Sequence, residues 1–469
     1  MNSMKFLIAL KKPDYSLLTI YILIFALFVI ILKTGLYKEK EKVLFEDVAI
    51  YYVYLPITFI HHDYTAVSID RKANHLIATH PTSIGKRAVK YSMGMAVLYS
   101  PFFFITHLYS HMFDLDTSGY SMQYQLALLL SSLFYLAIGL FFLRKVLLMY
   151  FDQAVVSITL IVMVLGTNLL QYATFMAPMS HAYGFALFSV FIYLTIRWYS
   201  KPNYQISILI GLVTGLIVLV RPPNIVIVLF FVLYKISSMS DVREKVFFFL
   251  KQYKLLLVII LFAIVVWIPQ LLYWKSVTGN FFYYTYRDEG FFFGNPQIIN
   301  GLFSYRNGWL TYTPIMIFSL IGIFMLVKRQ KEFFVPILIF VILNTYIILS
   351  WWCWWYVGFG NRAFIESYAL LSIPFAAFLS WGLSKKVLKI IFVPLIAIMV
   401  FLSSFMVWQF NNGMGHYDSM TKEAYWKYFL KVDRSGKIWK YIQSPDYKKA
   451  KKGVYFTDIN KNPDHKKSN

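Results

Sequence analysis

Acidic residues are scarce in this chain, cysteine is nearly absent, and charge of either sign makes up only 14% of it. The single cysteine, Cys353, excludes an intrachain disulfide and a cysteine metal cluster. Against 22 Asp and Glu stand 45 Lys and Arg, a formal charge of +23. These basic residues fall between apolar runs or in the last part of the chain. That distribution argues against a nucleic-acid groove and for membrane lipid, or a phosphate carried on lipid, as the partner. No repeat of solenoid period and no long Gly/Ser-rich linker breaks the sequence, so nothing marks off a separate soluble domain.

What is abundant is apolar. Hydrophobic residues make up 59% and aromatic residues 20% of the 469, a composition outside the range of soluble domains. Apolar runs of roughly 17 to 22 residues recur, the length that crosses about 30 Å of hydrocarbon. Spans are expected at Tyr15–Leu32, Met122–Leu143, Val155–Leu170, Ala182–Ile196, Ile206–Leu219, Asn224–Tyr234, Leu255–Leu272, Leu310–Val327, Phe333–Ser350, Ser367–Leu383 and Val387–Val407. The fold class is therefore an all-α polytopic membrane protein of about 11 transmembrane helices. The first run is expected to persist as a span, because no small-residue cleavage site follows it.

Sidedness turns on Met93 to Leu108, a short apolar run containing Pro101. Laid along the membrane surface, it leaves Arg144-Lys145, Arg197 with Lys201, the segment Lys235 to Lys254, Lys328-Arg329-Gln330-Lys331 and Lys385-Lys386 on one side. The N-terminal Lys5, Lys11 and Lys12 join them. Short cytoplasmic loops collect Lys and Arg in this way. We therefore expect an interfacial helix there, a cytoplasmic N-terminus and an external C-terminus. The expected division is a membrane domain over 1–408, with a first external loop over 35–121, and an external tail over 409–469 whose last dozen residues are disordered.

On this reading the unusual polar residues gather outside. The first external loop opens with Glu46 and Asp47 and continues through Tyr51 and Tyr52, an aromatic shelf suited to the headgroup layer. A carboxylate at that depth can take a proton from a substrate that arrives on a lipid, or it can cap an interfacial helix. His181 begins a span beside Ser180. Arg221, Arg306 and Arg362 stand at span ends, where a guanidinium either reaches headgroups or donates paired hydrogen bonds to a substrate phosphate. The trio Arg287-Asp288-Glu289 belongs to the same external set. Trp351, Trp352, Trp354 and Trp355 are expected as an interfacial aromatic belt before a sugar-stacking platform. His61, His62, His75 and His80 share one loop at spacings that match no standard zinc arrangement.

The order of these pieces resembles the GT-C class of membrane glycosyltransferases, which includes protein O-mannosyltransferases and lipid A aminoarabinose transferases. The likeness rests on Asp47 within EDVAIYYVYLP, followed by KYSMGMAVLYSPFF as the interfacial helix. It extends to GLVTGLIVLVRPPN, GLFSYRNGWLTYTP and WWCWWYVGFGNRAFIESYALLSIP, which are similar to segments of bacterial members. The resemblance implies a polyprenyl-phosphate sugar donor, a lipid, glycan or protein acceptor, and an active face outside the bacterial inner (plasma) membrane. It makes Asp47 the general base of an inverting transfer, with Glu46, Tyr51, Tyr52, His181, Arg221, Arg306 and Arg362 as substrate contacts. No cofactor is certain. Val48 occupies the position where a second acid often follows, which leaves a divalent metal open and its ligands unknown. The competing class is a transporter or flippase of a lipid-linked or polar substrate, which tends to bury ionisable residues at mid-membrane. Here the expected spans carry almost no charge.

Overall fold

The structure is a computed structural model describing residues 14–39, 42–63, 79–432 and 437–455. Seven of its helices are long and apolar enough to cross a membrane: Tyr15–Thr34, Met122–Leu147, Ser180–Ser200, Tyr253–Thr278, Lys331–Ser350, Arg362–Ser384 and Lys386–Met414. The remaining expected spans fall on shorter helices, Gln153–Leu165, Tyr204–Val220, Pro222–Leu233 and Met316–Arg329. Helix is the form in which a long apolar run satisfies its own backbone hydrogen bonds away from water. The chain is thus a multi-pass helical membrane protein, with seven long spans among the described residues where about eleven spans were expected.

Burial sorts the helices into centre and rim. In Arg362–Ser384, 94% of the most apolar window is buried, whereas in Tyr253–Thr278 only 11% is. The latter instead exposes Leu257, Ile260, Leu261, Ile264, Val265, Ile268 and Leu272, the apolar face of a helix solvated by lipid. It is fastened to Tyr204–Val220 by two small residues. A Cβ on Gly211 would lie 2.5 Å from the Ile259 carbonyl oxygen, and one on Gly215 would lie 2.7 Å from that of Ala263. This spacing of small residues lets two helix backbones touch. The Tyr204–Val220 helix ends at Arg221, which is extended because Pro222 follows it.

The first helix begins at Asp14, which accepts from Leu17 N at 3.1 Å and pairs with Arg144 of the Met122–Leu147 helix. The run expected to be interfacial forms the helix Gly94–Met112. Its exposed side carries Val97, Phe104, Ile105, Leu108 and Met112. Just before it, Thr79–Pro81 and Arg87–Val89 pair antiparallel, a two-stranded ribbon that the all-helical expectation did not contain.

After the last span the chain folds back over the same end of the bundle, through the helix Lys422–Tyr428 and the turn Tyr447–Ala450. Tyr447 packs on Trp352 and Trp355, and Lys451 pairs with Asp288 at 3.0 Å. The expected disorder of the last dozen residues, like the expectations for Lys5, Lys11, Lys12 and His75, lies outside the described residues.

Candidate active site

Asp47 stands in the first turn of the short helix Glu46–Tyr52. The residue before it, Glu46, takes a φ of 44°, a left-handed conformation that a side-chain-bearing residue adopts at a cost. Each carboxylate oxygen of Asp47 has a partner. Oδ2 accepts from the Arg362 guanidinium at 2.9 Å, and Oδ1 accepts from the Tyr91 hydroxyl at 2.7 Å. Burial pushes the Asp47 carboxyl up, but the Arg362 charge and these two hydrogen bonds outweigh it, so the group lies below its usual range. Its neighbour goes the other way. Glu46 is pushed up by desolvation and by the charge of Asp47.

Arg362 opens the turn Arg362–Ser367 that leads into the most buried helix. One turn further, Glu366 accepts from Arg221 at 3.0 Å and contacts His181 Nδ1 at 3.1 Å. Room for that carboxylate comes from Gly184, where a Cβ would lie 2.5 Å from Glu366 Cγ. Two carboxylate–guanidinium pairs thus lie side by side, joined through one stretch of backbone. Tyr51 sits among them. Burial, and then the charge of Asp47, push its hydroxyl up to about 12, so at neutral pH it can donate a hydrogen bond.

These groups form the polar wall of a cavity of about 470 Å³. Asp47, Tyr51, Tyr91, His181, Arg221 and Arg362 line it, and Trp267, Trp274, Tyr286, Trp351 and Tyr356 face them. Asp47 also borders a second, smaller pocket of about 50 Å³, shared with Lys42, Glu46, Met176 and Met179. The carboxylate therefore stands between two spaces, one large and aromatic, the other small and flanked by charge.

Of the residues singled out in the sequence, Asp47, Tyr51, His181, Arg221 and Arg362 meet at the large cavity, and Glu46 lies on the smaller one. Tyr52 turns away, packing on Tyr99, Phe103 and Tyr120 and donating to the Gly119 carbonyl. Arg306 is held elsewhere, donating to the carbonyls of Asp418 at 2.6 Å and Gln443 at 2.9 Å in the tail. The expected tryptophan belt needs correction, because Trp352, Trp354 and Trp355 are buried and only Trp351 reaches the cavity. The belt reading failed because the folded-back tail covers Trp352 and Trp355, and Trp354 packs against Trp355. Among the described residues, no three His, Cys, Asp or Glu side chains gather to hold a metal ion.

Two residues escaped the sequence reading. Glu366 carried a usable signal, since a carboxylate at the head of an otherwise apolar span demands a partner. Tyr91 carried none, being one tyrosine among 36.

No protein-family model matches the chain, and no curated protein matches it by sequence. Solved structures do match. The archaeal oligosaccharyltransferase AglB from Archaeoglobus fulgidus, in complex with an inhibitory peptide and a dolichol-phosphate, superposes with a TM-score of 0.50 at 13% identity. The match covers 90% of this chain and 60% of that one. The apo crystal structure of an Archaeoglobus fulgidus oligosaccharyltransferase gives 0.48 at 13% identity, over 91% and 61% of the two chains. This chain thus spans about three-fifths of the length of the structures it matches. At this identity the likeness speaks to fold, and the fold is the polytopic one expected from the GT-C resemblance.

Proposed function

We propose that this chain is a membrane glycosyltransferase that moves a sugar from a polyprenyl-phosphate donor to an acceptor at the external face of the membrane, with inversion. The observation that carries the reading is Asp47, an ionised carboxylate held by Arg362 and Tyr91 on the polar wall of an aromatic cavity that Arg221 also lines. The helix Tyr253–Thr278 supports a lipid-linked donor. It turns Trp267 and Trp274 into the cavity and Ile260, Ile264, Ile268 and Leu272 outward, where an isoprenoid would run.

In the proposed reaction Asp47 takes the proton of an acceptor hydroxyl or amine. The freed lone pair attacks the anomeric carbon as the bond from that carbon to the phosphate oxygen breaks, and the bonding electrons leave with the phosphate. Arg221 meets the charge that develops there, and the Tyr51 hydroxyl donates beside it. Arg362 and Tyr91 hold the base in line. General base catalysis supplies about 10² to 10⁴ in rate. Orientation toward the external face rests on the Lys and Arg of the loops at the opposite ends of the spans.

The test is sugar release from a radiolabelled polyprenyl-phosphate sugar by purified protein in lipid. Asp47→Asn is expected to lower turnover about a hundredfold or more with donor binding kept. If the variant turns over like the wild type, or if neither consumes a donor that both bind, the reading fails and transport of the lipid-linked substrate replaces it.

A further inference from the structure

Away from the Asp47 cluster, one acid on the cavity wall, Glu289, belongs to a third charged pair that the proposed reaction does not use. Lys90 Nζ lies 2.6 Å from Glu289 Oε1, with side-chain exposures of 17% and 14%. Glu289 lines the cavity. It is the last of the Arg287-Asp288-Glu289 trio, whose other acid faces the tail through Lys451.

Both ends of the pair are fixed by their own backbone. The Thr285 hydroxyl donates to the Lys90 carbonyl, and the Tyr284 hydroxyl donates to the Glu289 carbonyl at 2.6 Å. Aromatic faces flank the ammonium, which lies 5.7 Å from the Tyr91 ring centroid and 5.5 Å from that of Tyr286. Tyr286 in turn touches Tyr91 at 5.8 Å and Trp351 at 5.6 Å between centroids. Since Tyr91 holds Asp47 through its hydroxyl, the pair stands about two rings from the carboxylate that would act as base.

Stability alone is a poor reason for such a pair. Taking two charges out of water costs about as much as their attraction returns, and apolar replacements are often no less stable. A Lys–carboxylate pair beside aromatic faces does suit a sugar. The ammonium donates to one hydroxyl oxygen, the carboxylate accepts from the next hydroxyl, and the C–H face of the sugar ring lies on tyrosine or tryptophan. The pair is neutral as a unit. A carboxylate or an ammonium on the sugar would bring a charge with no counterpart there.

We propose that Lys90 and Glu289 read the sugar of the donor and select a neutral sugar with adjacent hydroxyl groups. The inference rests on the glycosyltransferase reading above. It assigns the pair to specificity and leaves catalysis to Asp47.

The experiment uses the full chain in lipid nanodiscs with four polyprenyl-phosphate donors: a neutral hexose, the same sugar lacking one of two adjacent hydroxyls, an amino sugar and a uronic acid. Binding of sugar-free polyprenyl phosphate is measured alongside. The wild type is expected to favour the neutral hexose at least tenfold in kcat/KM. Glu289→Gln and Lys90→Gln are expected to raise its KM about ten- to hundredfold, the effect of losing a hydrogen bond to a charged group. They should also erase discrimination against the deoxy sugar, with binding of sugar-free polyprenyl phosphate kept within about twofold of wild type. A wild type that prefers a charged sugar overturns the inference. So do variants that keep wild-type KM and selectivity, or that lose all four donors in equal proportion, as a purely structural pair would. If the wild type consumes none of the donors and does not bind the sugar-free lipid, the glycosyltransferase reading falls first and this assignment falls with it.

Discussion

Arg362 and Glu366 stand one helical turn apart and send their charges to opposite partners, Arg362 to Asp47 at 2.9 Å and Glu366 to Arg221 at 3.0 Å. One turn of backbone therefore sets both the acid that would act as base and the cation that would meet the phosphate. Each pairing has its own measurable consequence.

Arg362 is expected to govern the ionisation of Asp47, its partner at 2.9 Å. Its charge is the largest of the influences that hold the Asp47 carboxyl below the ordinary value of 3.8, against the upward push of burial. A base is active when deprotonated, so activity is present above the lowered value and is lost as pH falls through it. In the wild type the acidic limb of kcat/KM is expected below the usual aspartate range. Arg362→Gln removes the charge and moves that limb upward. Tyr91→Phe, which removes only one hydrogen bond, moves it in the same direction by less. A limb that stays where it was in both variants means that Asp47 is not the titrating base.

Glu366 has a structural duty as well. Its side chain is 2% exposed, and it is paired to both Arg221 and His181. Glu366→Ala leaves the Arg221 guanidinium without its partner in a poorly solvated place, which costs about 3 kcal/mol. The thermal midpoint of the detergent-purified protein should fall accordingly. Adding Arg221→Ala to Glu366→Ala should recover part of the loss, because the stranded charge is gone. A double variant whose loss equals the sum of the two singles would show that the pair is not coupled.

These cases also mark what the sequence could convey. The apolar runs and their order are compositional features, and the expected spans fall on helical segments, some of them broken into two. Arg221 and Arg362 stood out because charge at the end of a lipid-soluble segment is expensive and therefore informative, and Asp47 because it precedes an aromatic shelf in the first loop after the first span. Length was less legible. Gln153–Leu165 is 13 residues long, and the run that continues it in the sequence breaks before a separate turn, Leu169–Ala173. Arg306 shows the opposite failure. By sequence it matched the other two arginines, and only the folded-back tail, more than a hundred residues on, determines that its donors face carbonyls. Lys90 and Glu289, like Asp47 and Tyr91, meet across long stretches of chain, and no local pattern announces such a pairing.

The contact between Tyr204–Val220 and Tyr253–Thr278 is tight enough to test directly. A valine at Gly215 would bring its Cβ to 2.7 Å from the Ala263 carbonyl oxygen and 2.8 Å from the Val266 Cβ. Backbone cannot yield as a side chain can, so the helices must part, at a cost of about 1 to 3 kcal/mol. Gly215→Val is therefore expected to lower stability. It should also lower activity on donor, because Arg221 at one helix end and Trp267 and Trp274 on the other would no longer keep their spacing. Full activity in a stably folded Gly215→Val protein would show that this helix contact does not position the cavity.

Arg221 and Arg306 are expected to separate substrate binding from tail anchoring. The two residues are alike in type and, by sequence, in setting. Arg221 lines the cavity beside Glu366, whereas Arg306 is 8% exposed and spends its donors on the carbonyls of Asp418 and Gln443. Arg221→Lys keeps a positive charge but loses the planar fork, so it should raise KM for a polyprenyl-phosphate donor while the tail stays in place. Arg306→Ala leaves two carbonyls without a donor and releases the segment that covers Trp352 and Trp355. It should increase protease cleavage after Gln409 and indole accessibility to a quencher, with donor KM changed little. If Arg306→Ala instead abolishes donor binding in protein whose tail remains protected, Arg306 belongs to the substrate site, and the division drawn from its contacts is wrong.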